Sequence, residues 1–116
     1  MNPLKQKTFE FSLQIIRLTR KLQEERKEYV LSKQLLRSGT SPGALVMEAE
    51  HAESKADFIH KLAIAQKEIN ESIYWLELLT ASNYLSEDET QPIKNLAIEI
   101  LKITTASIKT AKSHLH

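Results

Sequence analysis

Two acid-x-x-His pairs stand close together, Glu48-Ala-Glu-His51 and, nine residues on, Asp57-Phe-Ile-His60. On a helix this spacing sets a carboxylate and an imidazole on one face. Four-helix bundles hold two metal ions with such pairs when two further glutamates face them. Two features argue against a di-metal centre here. Asp57 follows Ser54 by three residues and serves better as an acidic first-turn residue of a helix that Ser54 caps. Both pairs also flank one short connection near a bundle end, whereas the metal site needs ligands facing each other across the middle. No metal or other cofactor is expected.

Other chemistries lack their residues. The 116-residue chain has no cysteine, so it offers no thiolate nucleophile, disulfide or Cys-based zinc or iron–sulfur site. The run Ser38-Gly39-Thr40-Ser41-Pro42-Gly43-Ala44 holds both glycines of the protein, yet it contains no lysine and follows no strand, so it is no phosphate-binding loop. No GxSxG elbow exists, and nothing brings a histidine and an acid to Ser38 or Ser41. Enzymatic activity is not expected.

The elements that position these residues are helical throughout. Phe11, Ile15, Leu18 and Leu22 recur at helical spacing, flanked by Phe9, Leu13 and Ile16, and predict a first helix over about residues 4 to 25. The cluster Glu24-Glu25-Arg26-Lys27-Glu28 reads as a solvated connection before a second apolar pattern at Tyr29, Leu31, Leu35 and Leu36. The stretch from Ser38 to Ala44 reads as a turn on propensity, or as a distorted continuous helix whose small side chains admit a neighbouring backbone. Ser54 opens a third helix with the apolar face Phe58, Leu62, Ala65, Ile69, Ile73, Leu76 and Leu79, ending at Ser82-Asn83. Ser86 and Glu89 form a capping box for a fourth, although Pro92 argues for a regular start nearer Thr90. The fourth helix carries two apolar stripes, one of Leu96, Ala97, Ile100, Ile103 and Ala111, the other of Ile98, Leu101, Ile108 and Leu115. The second exceeds what one core needs and predicts a partner. With no period-two segment, the fold class is all-α, a single up-down-up-down antiparallel four-helix bundle over residues 1–116.

The formal charge of +1 hides an uneven distribution: residues 1–37 carry +5, residues 38–90 carry −7 and residues 91–116 carry +3. First and last helices are neighbours in such a bundle, so its basic segments share a side. Antiparallel registration places Lys7 near Lys112 and Arg17 near Lys102. Arg17, Arg20 and Lys21 then join Lys102, Lys109 and Lys112 in a basic strip able to contact phosphates. Opposite charges on opposite sides also favour head-to-tail association into a ring. On the third helix Glu68, Glu71 and Trp75 flank the apolar stripe, and Arg37 on the second helix is their obvious partner, forming a structural polar network that fixes helix register.

Several separated segments resemble one family: Tyr29-Val-Leu-Ser-Lys-Gln-Leu-Leu-Arg-Ser-Gly-Thr-Ser41, Glu48-Ala49, Ser54-Lys-Ala-Asp-Phe-Ile-His-Lys-Leu62, and Glu68 through Trp75-Leu76-Glu77-Leu78. They are similar to the small bacterial four-helix-bundle proteins encoded in intervening sequences of 23S ribosomal RNA genes, with a more distant likeness to the accessory variability protein of diversity-generating retroelements. The resemblance implies an up-down-up-down bundle assembled as a homopentamer, without known catalytic activity, and a second helix continuous from Ser38 to Ala44. Pro42 and Leu45 depart from that pattern, and a proline there bends a helix.

The resulting expectation is a non-enzymatic, oligomeric bundle that binds or scaffolds RNA through helices one and four. The alternative is a protein-interaction module with no nucleic-acid role. No apolar run approaches the roughly 20 residues of a membrane span, so no membrane partner and a cytoplasmic location are expected.

Overall fold

A computed structural model of the chain describes residues 2–114. Helix α1 is Pro3–Arg26, α2 is Leu31–Glu50, α3 is Lys55–Ala81 and α4 is Glu87–Ser113. Each helix packs on its two neighbours around the bundle: α1 on α2 and α4, and α3 on α2 and α4. No strand occurs among the described residues. Leu115 of the second α4 stripe and His116 lie outside them.

Local chemistry accounts for the helix ends. The Asn2 side chain accepts from Leu4 N at 3.0 Å, and Pro3 occupies the first turn of α1, where its missing donor costs nothing. Lys27 ends the helix in the left-handed region at φ 55°. Glu28 is more than part of a solvated connection: its carboxylate accepts from Leu31 N at 3.1 Å and Ser32 N at 2.7 Å, so it caps α2. Ser54 accepts from Asp57 N and caps α3. At α4 the Ser86–Glu89 capping box is complete, which corrects the start expected near Thr90. Pro92 lies inside the helix at an exposed position, where water can reach the carbonyl it leaves free.

The core takes Phe11, Ile15 and Leu22 from α1, Leu35 and Val46 from α2, Leu62, Ile69, Leu76 and Leu79 from α3, and Ile93, Ala97 and Ile100 from α4. Helix α2 runs unbroken through Pro42, so the turn reading is wrong and the continuous reading is right. Its small residues serve two neighbours. A Cβ on Gly39 would lie 2.7 Å from Ile15, so α1 approaches on that side. Ser38 faces α3, where its hydroxyl accepts from buried Ser72 at 2.9 Å. Leu101 and Ile108 pack against the core, while Ile98 is exposed. The surplus expected on α4 is therefore narrower than its two stripes suggest, because a bundle corner has two flanks to cover.

Candidate nucleic-acid and self-association surfaces

Ion pairs set the register of the α1–α4 seam. Lys7 Nζ meets Glu99 Oε2 at 2.6 Å, and Lys21 Nζ meets Glu89 Oε2 at 2.8 Å. This corrects the expected registration. Lys112 lies 13 residues beyond Glu99, about 20 Å along the axis from the level of Lys7, and Lys102 is displaced from Arg17 by about 15 Å. The helices are offset along the seam: Pro3 lies about level with Ile103 of α4, so the last turns of α4 run past the start of α1.

The six cations expected to form one strip are consequently dispersed. Lys21 is held by Glu89, whose hydrogen bond and charge raise the lysine above its ordinary pKa. The same bond, then the Ser86 N–H, lowers the Glu89 carboxyl below its ordinary value. Arg17 and Arg20 are exposed on the outer surface of α1, Arg20 extending the Phe9, Leu13, Ile16 stripe by one turn. Lys102, Lys109 and Lys112 are exposed on α4 at three-, seven- and ten-residue intervals that include Thr105. Thr105 accepts from Gln66 Nε2 of α3 at 2.9 Å, so Lys109 and Lys112 lie on the α3 side of α4, while Lys102, one turn from both Thr105 and Glu99, stands on the outward ridge between α3 and α1. None of the five has a hydrogen-bond or ion-pair partner among the described residues.

Arg37 bridges α2 to α3, donating from Nη1 to Glu68 at 3.2 Å and from Nη2 to Glu71. Glu68 is mostly buried while the Arg37 side chain is about half exposed, so the bridge closes over the α2–α3 seam from outside. Trp75 stands one turn from Glu71 without joining the bridge. Its ring meets Tyr74 edge-on at 5.2 Å, and its buried Nε1 has no hydrogen-bond partner among the described residues. The metal-like pairs do not converge either. Glu48 pairs with Lys61 at 3.0 Å, and Asp57 accepts from Glu53 N at 3.2 Å. Among the described residues no three His, Asp or Glu side chains cluster as metal ligands.

Sequence reasoning missed an apolar groove of about 910 Å³ on the outside of α1 and α2, lined in part by Thr8, Phe9, Ile16, Gly43, Ala44 and Met47. Phe9 is 66% and Met47 48% exposed. The signal was present in Phe9, Leu13 and Ile16, which widen the α1 stripe beyond what the core uses. Gly43 and Ala44 form a floor without bulk, leaving the larger side chains standing as walls.

No helix among the described residues is long and apolar enough to cross a membrane. Among curated proteins the chain has no match. Among solved structures it is similar to a protein of unknown function of the S23 ribosomal protein family from Bacteroides thetaiotaomicron, at 50% identity, with a TM-score of 0.90 and coverage of 91% of this chain and 98% of that one. The family model of the 23S rRNA-intervening sequence protein matches residues 2–106. By that match, the chain belongs to the 23S rRNA-intervening sequence protein family.

Proposed function

We propose that this chain is a non-enzymatic, cytoplasmic scaffold that associates with its own copies, as a closed pentameric ring, and binds RNA through the free cations of α1 and α4. The observation that carries the assembly is the α1–α2 groove, whose exposed Phe9 and Met47 suit the apolar face of a second copy. RNA binding draws its support from Arg17, Arg20, Lys102, Lys109 and Lys112, exposed and without a partner among the described residues on a chain whose net charge is only +1. Structured and single-stranded RNA, titrated at two salt concentrations, test this. Affinity should fall with salt and with charge reversal of Arg17, Arg20, Lys102 and Lys109. Affinity indifferent to both would refute it.

A second reading, a protein-interaction module without nucleic acid, is favoured by the same groove if a foreign helix and not a sister copy fills it. A single subunit in solution that binds no RNA would select that reading.

A further inference from the structure

We infer that the outward face shared by α3 and α4 is where RNA docks, its phosphate backbone held by Lys55, Lys67, Lys102, Lys109 and Lys112 without base readout. This rests on the RNA reading above and moves the contact from the α1–α4 seam to the opposite flank of α4.

Two hydrogen bonds place the residues. Gln66 to Thr105 marks where α3 and α4 meet, and Lys55 Nζ to the His114 carbonyl at 3.1 Å marks the end of the same seam. Lys109 and Lys112 share the Thr105 side of α4 by helical periodicity, and Lys102 stands on the outward ridge beside it, midway between Thr105 and Glu99. Lys67 follows Gln66 on the exposed side of α3, level with Lys102, and Lys55 stands level with Lys112. The five ammonium groups thus span about 15 Å along one side of the bundle.

The face is basic because every carboxylate in these stretches is turned elsewhere. Glu68 and Glu71 reach across to Arg37 of α2, and Glu99 to Lys7 of α1. Asp57 turns back to the Glu53 amide. Cations on the other seams are neutralised in place: Lys5 by Glu50, Lys21 by Glu89 and Lys61 by Glu48. The charge sums by segment conceal this, since acids and bases close in sequence point to different neighbours. Lysine presents a point charge without the fork that reads base edges, so a repeating phosphate backbone is the complementary ligand.

The test uses the full chain and a labelled RNA hairpin followed by anisotropy across a salt series. Replacing Lys102, Lys109 and Lys112 together by Ala should weaken binding at least about tenfold at low salt and reduce the slope of log affinity against log salt by about two to three. The added changes Lys55→Ala and Lys67→Ala should weaken it further. The pair Arg17→Ala and Arg20→Ala should weaken binding clearly less than the triple variant does. All substitutions are at exposed positions, and unchanged thermal melting checks that the bundle is intact. If wild type binds while the triple variant matches it, or if the α1 pair carries the loss, this face is refuted and RNA binding stands. If wild type binds no RNA at any salt, both fall.

Discussion

Ser41 donates its hydroxyl to the Ser38 carbonyl at 3.4 Å, the group that Pro42 leaves without a backbone donor. A proline inside a helix removes the bond to the residue four before it and crowds that carbonyl. Here a side chain on the preceding residue supplies a replacement, long but in place, and α2 continues. The two residues are therefore coupled. Ser41→Ala should cost about 1 kcal/mol in the wild-type background, and close to nothing once Pro42→Ala restores the amide. Urea unfolding of the four proteins measures the coupling. Equal costs of Ser41→Ala in both backgrounds would contradict the compensation.

The two glycines should respond oppositely to alanine. At Gly39 the new Cβ would stand 2.7 Å from two carbons of Ile15, which is fully buried and has no room to yield. Gly39→Ala should destabilise by about 1–3 kcal/mol, the usual cost of overpacking. At Gly43 the nearest atom is Ser12 Oγ at 3.5 Å, an ordinary contact. Gly43→Ala should stabilise by up to about 1 kcal/mol through helix propensity. Thermal melts of the two variants check the contrast, and a shift in the same direction for both would undo the close-approach account.

Glu89 ties three features together: the capping box, the Lys21 pair and the α1–α4 register. Its folded pKa lies below the ordinary value of 4.5, first through the Lys21 hydrogen bond. The stabilisation is thus complete above the unfolded value and is lost as pH falls through the folded one. Glu89→Gln retains the capping acceptor and removes the charge. Between about pH 5 and pH 3 the wild type should lose stability more steeply than this variant, and denaturant midpoints across that range provide the measurement. Identical slopes would show that the pair contributes nothing.

How much of this was legible beforehand depended on the range of the interaction. Ser54, Ser86 and Glu89 act on backbone amides within a few residues; their spacing located the α3 start and marked the α4 start, which Pro92 then drew too late, near Thr90. The α3 stripe was equally plain, apart from Ser72, which is buried because Ser38 on another helix bonds it. Periodicity favours apolar residues and passes over such a serine. The α1–α4 register escaped for a related reason: the overhang of α4 depends on where three connections fall, and a shift of about ten residues leaves each helix pattern unchanged. With that register went the single strip of Arg17, Arg20, Lys21, Lys102, Lys109 and Lys112. Glu28 was hidden inside a charge cluster whose other members are exposed.

Assembly through the α1–α2 groove is the claim on which the available surfaces depend, and light scattering of the purified chain tests it most directly. The account predicts a mass several times the 13.3 kDa subunit, fivefold for the closed ring, falling to one subunit when Phe9→Glu and Met47→Glu place charges in the groove. A wild-type chain that scatters as a single 13.3 kDa subunit, or an assembly indifferent to both charges, would contradict it.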